Sequence, residues 1–417
     1  RGDRDELNLG SKEVFTNFVA YVKENFPSTN LAIVLWGHWS GWKVKEGLWD
    51  EFSADGLDVM ELGSITPYPM WTFFGIDGCT AGMLEVAYEL RHLAQFFVCS
   101  PDVTPRAGWP YKTWLSAFME TGLSKDDFST TLLSSYEGAY ASVPKAALAV
   151  YAISNIYGVM HAWTNYVRSL YNEVINPAHI MRTTQHGEVI LRDVESYFRY
   201  TDGYYHIDVW SLAENMSRSE TVALTNALSA FVAKEWHSMV GDKGTGNPYS
   251  HGLGVYFGTP FLDGNTWCLF MDDCYAYSNT TLSSFQTISS LWRKYLRVLH
   301  YDFACDWIYP DTWYGGSLVS NKDTKWYKIY AEASGILDVE LCFGSQDYDL
   351  ALYNEKLELI ESSSNPSTNQ ITNREFLKEL FVDEGWVFVR VKSYAGNGPF
   401  SLKIKTYPVY SGGAVIK

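Results

Sequence analysis

The sequence predicts an α/β domain, in which helices cover both faces of a mostly parallel sheet, followed by a smaller all-β sandwich. Up to about residue 303, continuous apolar runs alternate with segments whose apolar residues recur at helical spacing. Beyond that point the apolar runs are short and alternating, and turns rich in Gly, Asn, Ser and Asp separate them. We therefore expect a first domain over residues 1–303, a linker over 304–312 and a second domain over 313–417.

The elements of the first domain follow in chain order. The apolar residues of segment 11–26 fall on one helical face, and Leu31-Ala-Ile-Val-Leu-Trp-Gly37 is typical of a strand buried on both faces. The remaining predicted strands are 71–76, 95–99, 147–153 and 252–258. The remaining predicted helices are 80–93, one that opens with a capping box at 124–127, 220–240 and 282–299. Because strands alternate with helices, the sheet is expected to be mostly parallel.

The second domain is predicted from short alternating strands alone. The predicted strands are 326–330, 337–343, 350–353, 386–391 and 400–404. About 95 residues with this pattern are typical of a small β-sandwich.

Charge and composition exclude two classes of partner. The 417 residues include 32 Lys and Arg against 48 Asp and Glu, a net charge of −16. Such a charge repels phosphate backbones and anionic lipids, so we expect no nucleic-acid partner. No apolar run reaches the roughly 18 residues that a transmembrane helix requires, so no membrane span is expected. The aromatic content of 16% is typical of extracellular proteins, and we expect an extracellular location.

Two residues with the chemistry of a cysteine hydrolase follow two of the predicted strands. His38 lies in Trp36-Gly-His-Trp-Ser-Gly-Trp42, and Cys79 ends Gly75-Ile-Asp-Gly-Cys79. Sites in open parallel sheets form at the carboxyl ends of strands, so the imidazole and the thiol are expected side by side. A thiol at a helix N-terminus and next to an imidazole has a lowered pKa and attacks as the thiolate. The alternative is that Cys79 is a small buried apolar residue.

The segments around these residues resemble a known family. Leu35-Trp-Gly-His38 and Ile76-Asp-Gly-Cys79-Thr-Ala-Gly-Met-Leu-Glu-Val-Ala-Tyr-Glu-Leu90 resemble motifs of the clostripain family of cysteine peptidases, which belongs to the caspase-like clan. Further similarities follow in order: Val98-Cys-Ser-Pro-Asp102, Gly108-Trp-Pro-Tyr111, His251-Gly-Leu-Gly-Val-Tyr-Phe257 and Leu291-Trp-Arg-Lys-Tyr-Leu296. The resemblance covers residues 5–300 and implies a caspase-like three-layer α/β/α sandwich with endopeptidase activity. It also implies that Cys79 is the nucleophile and His38 the general acid/base.

The resemblance further implies a substrate-binding surface around these two residues. Family members prefer a basic residue before the scissile bond, held by acidic side chains, and Asp77 matches one such position. The alternative for Asp77 is a cap on the helix predicted at 80–93. Arg106 stands where a second acidic residue is expected, and Trp39 replaces the glycine that usually follows the catalytic histidine. Backbone amides next to the dyad, including those of Gly78 and Trp39, are candidates to bind the oxyanion.

Calcium and a separate N-terminal segment complete these expectations. The chemistry requires no cofactor, but clostripain-like enzymes often need calcium, for which hard oxygen ligands are suited. The candidate ligands are Asp347, Asp349, Asp272 and Asp273. The alternative for the first two is a pair of solvated turn aspartates, and the alternative for the last two is a solvated acidic surface. The family's domain usually begins earlier, with a further strand, and its members are often cut by self-processing. We therefore expect the N-terminal strand to be missing, through a separate cleavage, a truncation or an incomplete sequence. In the first case the cleaved N-terminal segment is the expected partner.

The second domain has a looser resemblance of its own. Lys325-Trp-Tyr-Lys-Ile-Tyr330, Asp347-Tyr-Asp-Leu-Ala-Leu-Tyr353 and Val387-Phe-Val-Arg-Val391 resemble the pre-peptidase C-terminal domain, a jelly-roll-like module of secreted peptidases. This likeness implies a role in secretion or substrate attachment. Taken together, the sequence predicts a secreted cysteine endopeptidase that acts on proteins or peptides. The alternative is a non-catalytic extracellular binding or structural protein on a degenerate peptidase scaffold, which Trp39 and the aromatic richness favour.

Overall fold

The computed structural model describes the following residues: 7–28, 30–42, 47–67, 70–121, 125–174, 194, 196–197, 206–239, 250–257, 291–296, 305–319, 324–354, 359–363 and 374–408. They form two compact units. Residues up to 257 and residues 291–295 belong to the first, and residues from 296 onward belong to the second. The predicted boundary near residue 303 lies outside the described residues.

The first unit contains helices and strands in alternation. Its helices are α1 Lys12–Asn25, α2 Val59–Gly63, α3 Leu84–Glu89, α4 Tyr111–Thr121, α5 Lys125–Tyr140, α6 Ile156–Val174, α7 Val209–Asn215 and α8 Thr221–Phe231. Its strands are β1 Ala32–Trp36, β2 Leu48–Asp50, β3 Asp55–Leu57, β4 Trp71–Asp77, β5 Ala94–Cys99, β6 Ala147–Ala152, β7 Ser196–Tyr197, β8 His206–Asp208, β9 Val232–His237 and β10 Gly254–Tyr256. A 3-10 turn at Ile153–Asn155 precedes α6, and residues 291–296 are helical.

The main sheet has the strand order β1-β4-β5-β6-β9. The pairs β1–β4 and β4–β5 are parallel, whereas β6 is antiparallel to both of its neighbours. Four of these five strands therefore run in one direction, which confirms the prediction of a mostly parallel sheet. β10 does not belong to the main sheet, because it pairs with β8 in a separate antiparallel sheet. The expectation that the strand predicted at 252–258 would extend the main sheet is therefore wrong.

Aromatic side chains join helices to both faces of the main sheet. On one face Phe73 stacks on Phe96, with ring centroids 5.1 Å apart, and contacts Phe128 of α5 at 4.1 Å. On the other face a row of rings runs from the sheet to α8: Phe74, Phe97, Tyr151 and Phe231. Each such pair contributes about 0.5–1.5 kcal/mol beyond the burial of its surface. The predicted three-layer α/β/α arrangement is therefore confirmed.

The position of β1 differs from its prediction. Its apolar run predicted a strand buried on both faces, but β1 lies at the edge of the sheet and pairs with β4 alone among the described strands. Trp36, its last residue, is 66% exposed. An apolar run indicates burial in general, and it does not specify whether the strand is central or at an edge.

Two helix predictions also need correction. The helix predicted over 220–240 ends at Phe231, and the chain continues directly into β9, whose Trp236 packs against Tyr136 of α5. The helix predicted over 80–93 is confined to α3, because residues 80–82 instead bond to residues 100–102. For the helices predicted at 124–127 and 282–299, Ser124 and most of the second segment lie outside the described residues.

The second unit is an all-β sandwich, as predicted. Its strands are β11 Cys305–Trp307, β12 Trp313–Leu318, β13 Thr324–Ala331, β14 Gly335–Phe343, β15 Asp347–Tyr353, β16 Leu359–Ser363, β17 Arg374–Val382, β18 Gly385–Ala395 and β19 Gly398–Pro408. They form two sheets, β11-β13-β18-β15-β16 and β12-β19-β14-β17, which share one apolar core. Part of the segment predicted as a linker is β11, which is hydrogen bonded to β13.

Among the helices of the described residues, none is both long enough and apolar enough to cross a bilayer.

Candidate active site

The ends of β1 and β4 bring the two predicted catalytic residues to the same edge of the sheet. These parallel strands pair in register, with Trp36 opposite Asp77, and the Gly37 amide donates to the Asp77 carbonyl at 3.2 Å. His38 and Cys79 each lie two residues beyond this pair. The parallel pairing of the two strands therefore places both residues at the carboxyl end of the sheet, where the sites of such folds form.

Gly78 allows the two strand ends to approach each other closely. A Cβ atom at this position would lie 2.7 Å from the Gly37 carbonyl oxygen and 3.0 Å from the Trp39 Cβ. The first distance is shorter than a Cβ atom tolerates and the second is at the limit, so a larger residue at position 78 would push the loop after β1 away from the loop after β4.

His38 and Trp39 have opposite environments. His38 is exposed, whereas Trp39 is only 2% exposed, and its indole Nε1 donates to none of the described residues. The bulky residue that replaces the family's glycine is therefore held inside the protein, while the imidazole stays accessible to solvent.

Cys79 is half-buried and its thiol contacts Thr104. The Thr104 amide nitrogen lies 3.4 Å from Sγ, and Sγ lies 3.9 Å from the Thr104 carbonyl oxygen. Burial raises the pKa of the Cys79 thiol, and the nearby carboxylates Asp102 and Asp77 raise it further, whereas the Thr104 N–H lowers it. In this arrangement Cys79 is a thiol at neutral pH.

The lowered pKa that the sequence predicted is therefore wrong for this arrangement. The prediction placed Cys79 at the N-terminus of a helix, where the helix dipole would favour the thiolate. α3 begins at Leu84, five residues later, and the effect of a helix terminus is confined to its first turn.

Asp77 is buried and holds the loop that follows β5. Its Oδ2 atom accepts hydrogen bonds from the Trp109 amide at 2.8 Å and from the Tyr111 hydroxyl at 2.7 Å. Its Oδ1 atom is buried and accepts no hydrogen bond from any described residue. Burial raises the pKa of Asp77, and the two hydrogen bonds oppose this rise. The alternative that Asp77 caps the following helix is wrong, because its bonds go to the 109–111 segment and α3 starts seven residues away.

A tight turn brings this loop against Asp77. Gly108 has a positive φ of 68°, and its amide donates to the Pro105 carbonyl. A Cβ atom on Gly108 would lie 2.5 Å from the Asp77 Oδ2, so the close approach requires glycine. Arg106, predicted to border the substrate-binding surface, is exposed in this turn.

Sequence reasoning missed Thr104, Trp109 and Tyr111 as members of the site. Trp109 and Tyr111 belong to the Gly108-Trp-Pro-Tyr111 motif that contributed to the family resemblance, but the motif alone assigned them no contact. No sequence pattern indicated Thr104, because its contact with Cys79 is formed only when the loops after β4 and β5 come together.

Two of the four predicted calcium ligands, Asp347 and Asp349, lie among the described residues. Asp347 and Asp349 lie on β15, and the pKa of Asp349 is raised by burial and then by the charge of Asp347. Calcium in proteins takes six to eight oxygen ligands. Among the described residues, no group of three or more His, Cys, Asp or Glu side chains could hold a metal ion. Asp272 and Asp273 lie outside the described residues, and calcium binding stays a prediction.

Comparisons with solved structures return several C11 proteases, together with other proteins that match about a quarter of the chain. An inactive zymogen C11 protease from Parabacteroides distasonis is 14% identical, with 69% of this chain and 78% of that chain covered and a TM-score of 0.49. A secreted C11 cysteine protease from Bacteroides thetaiotaomicron, in complex with an irreversible peptide inhibitor, is 16% identical, with 71% and 83% covered and a TM-score of 0.48. The pre-peptidase C-terminal domain of a collagenase from Bacillus anthracis is 17% identical, with 24% and 94% covered and a TM-score of 0.22.

The comparison of sequences is more decisive for the family. No curated protein matches the chain. The sequence profile of the clostripain family, however, matches residues 2–307, which is well over half of the 417 residues. The chain therefore belongs to the clostripain family of cysteine peptidases.

Proposed function

We propose that the protein is a secreted cysteine endopeptidase in which Cys79 is the nucleophile and His38 the general acid/base. The observation that carries this proposal is the in-register pairing of β1 with β4, which puts both residues at one edge of the sheet. Membership of the clostripain family supports the reaction class.

The reaction requires a proton transfer before the attack. His38 accepts the proton of the Cys79 thiol, and the resulting thiolate attacks the scissile carbonyl carbon to form a tetrahedral intermediate. Backbone amides near Gly78 and Trp39 bind the oxyanion, and His38 returns the proton to the leaving amine. Water then hydrolyses the thioester and regenerates the thiol. Because burial raises the pKa of Cys79, the protonated thiol is favoured in the free protein, and His38 is needed to take its proton.

The environment of Asp77 supports a preference for a basic residue before the scissile bond. Its carboxylate is 1% exposed, and none of the described lysine or arginine side chains forms a salt bridge with it. A buried carboxylate without a cationic partner is costly, and a substrate ammonium or guanidinium group would relieve that cost. Arg106, exposed in the adjacent turn, would disfavour a second basic residue nearby.

The proposed partner is an N-terminal segment that self-processing separates from the chain. The support for it is the outer edge of β1, which no described strand covers and which borders a groove of about 720 Å³ between α1 and the β2–β3 hairpin. Large apolar side chains around this groove are exposed: Leu7, Leu9, Phe18, Tyr21, Trp36 and Trp49. Proteins normally protect such edges, and an added strand would cover both the apolar rim and the free backbone groups.

This partner has a direct test. Native mass spectrometry of the protein processed from its full-length precursor is expected to show a second polypeptide of the same precursor bound to this chain. Trp36→Glu, which places a charge in the groove, is expected to release it. Detection of this chain alone, with no second polypeptide in the wild-type sample, would contradict the partner proposal without affecting the chemistry.

The peptidase proposal is tested by thiol labelling and proteolysis on the same sample. Iodoacetamide labelling with peptide mapping is expected to modify half-buried Cys79 faster than buried Cys99, and proteolysis is expected to fall in proportion to the labelled fraction of Cys79. Cys79→Ala is expected to abolish cleavage. Peptides that differ only in Arg, Lys or norleucine before the scissile bond measure the preference, which Asp77→Asn is expected to weaken.

A second candidate function is favoured by Trp39 and by the thiol form of Cys79. Both fit a non-catalytic extracellular binding protein on a peptidase scaffold. If the wild-type protein cleaves proteins and peptides no faster than Cys79→Ala, this candidate replaces the peptidase.

A further inference from the structure

The loops after β4 and β5 are joined by a short antiparallel ladder. The Gly82 amide donates to the Ser100 carbonyl at 2.7 Å, and the Thr80 amide donates to the Asp102 carbonyl at 2.9 Å. The next pair in the same register is residue 78 with residue 104. The pairing is therefore antiparallel, although β4 and β5 themselves are parallel.

Thr104 closes this ladder through its side chain. Its hydroxyl donates to the Gly78 carbonyl at 2.8 Å, which fixes the loop end next to the nucleophile. The ladder is braced from inside as well, because the Ser100 hydroxyl donates to the Asp102 carbonyl and accepts from the Asp102 amide. Thr104 thus has a defined position relative to the backbone that carries Cys79.

That position aims the Thr104 amide at the sulfur of Cys79. The nitrogen is 3.4 Å from Sγ, within hydrogen-bond range for a sulfur acceptor. Of the described groups that act on the charge state of this thiol, Asp102 and Asp77 disfavour the thiolate, and the Thr104 N–H favours it.

We propose that Thr104 is a positioning residue for the nucleophile: its hydroxyl, bonded to the Gly78 carbonyl, holds its backbone N–H against Cys79 Sγ so that the thiolate is stabilised when the proton leaves. This inference rests on the proposed role of Cys79 as nucleophile. The step involved is the loss of the S–H proton, to His38 during catalysis or to solvent in the free protein, and no other bond changes.

The test is the pH profile of Cys79 alkylation by iodoacetamide, followed by peptide mass mapping in the whole protein. Thr104→Val removes the hydroxyl but keeps the shape, and Thr104→Ser keeps the hydroxyl. Full loss of a hydrogen bond to a charged group would raise the thiol pKa by about 1–2 units. Because Thr104→Val keeps the backbone N–H and only loosens its position, the midpoint of its profile is expected to move upward by about half of that, about 0.5–1 pH unit. The rate near neutral pH would then fall by about three- to tenfold, since each pKa unit is a tenfold change. Thr104→Ser is expected to retain the wild-type midpoint, and Cys342 in the same sample serves as an internal reference.

Two outcomes overturn the proposal. One is an unchanged midpoint in Thr104→Val with a native circular dichroism spectrum. The other is a rate that changes by the same factor at every pH, which indicates altered access to the thiol rather than altered thiolate stability. Alkylation does not depend on peptidase activity, so an inactive protein would still give an answer. Conversely, an unshifted midpoint in a protein whose cleavage is lost in Cys79→Ala would refute the role of Thr104 alone.

Discussion

Replacement of Gly108 by alanine adds one atom, the Cβ, at the contact between Asp77 and the 105–111 loop. The added Cβ would lie 2.5 Å from the Asp77 Oδ2 and 2.9 Å from the Trp36 Nε1, on a backbone with a φ of 68°. Alanine in the left-handed region costs about 1–2 kcal/mol. The carboxylate cannot withdraw freely, because the Trp109 amide and the Tyr111 hydroxyl both bind the oxygen that the new methyl group meets.

The expected loss of stability is the sum of this backbone cost and the cost of a lost hydrogen bond. If the carboxylate moves away and loses one of its hydrogen bonds, the loss adds about 1.5–3 kcal/mol, the range for bonds to charged groups. We therefore expect Gly108→Ala to lower the free energy of unfolding of the first unit by about 2.5–5 kcal/mol, a large part of the 5–15 kcal/mol typical of a domain.

Urea denaturation followed by tryptophan fluorescence measures this change. The data are fitted with two transitions, because the two units need not unfold together. Gly158→Ala is the matched control: this glycine lies in α6 with no atom within 4 Å of the added Cβ, and a gain of about 0.5–1 kcal/mol is expected. A Gly108→Ala protein as stable as the wild type, beside a control that behaves as stated, would refute the reasoning.

Three further predictions concern the first unit. Asp58 accepts hydrogen bonds from the amides of residues 60 and 61 at the start of α2, so Asp58→Ala is expected to lower the free energy of unfolding by about 0.5–2 kcal/mol; Asp58→Ser, which keeps a cap, should recover most of it in the same urea titration. Phe231 is fully buried in the aromatic row beneath α8, so Phe231→Ala is expected to cost about 3–5 kcal/mol, whereas Phe52→Ala, at a 74% exposed position, should change stability little. The pKa of Asp77 is raised above 3.8 by burial, so the folded protein binds this proton more tightly than the unfolded chain and ionisation of Asp77 disfavours folding. The stability of Asp77→Asn relative to wild type is therefore expected to increase as the pH rises from 3.8 through the raised pKa; a difference that stays constant over that interval would contradict this sign.

Most strands could be predicted because a buried strand appears in the sequence as a short run of apolar residues. All seven residues of β4 are buried, and their apolar run predicted the strand closely. β1 has a similar composition, yet it lies at the sheet edge, because the order of strands depends on pairing between distant segments. β9 was missed for a related reason. It follows α8 with no glycine or proline between them, and only its bonds to β6 reveal a strand.

The candidate site was predicted in part. The expectation that strand ends carry the chemistry identified His38 and Cys79, because a parallel pair brings its carboxyl ends together, and the family resemblance added Asp77. The partners of these side chains could not be predicted in the same way. Thr104 is 25 residues from Cys79 and Tyr111 is 34 residues from Asp77, and each meets its partner only through the loops after β5.

The charge state of Cys79 follows from the same loops. Because residues 80–82 pair with 100–102, the helix that would have stabilised a thiolate starts too late, and the pairing brings Asp102 close to the sulfur. Asp77 is the second carboxylate that raises the pKa of the thiol. A substrate cation at Asp77 would cancel that charge and lower the thiol's pKa at the moment of binding. Selection of a basic residue and activation of the nucleophile would then be two consequences of one contact. A protein whose Cys79 is a thiol in the absence of substrate is therefore compatible with an active peptidase.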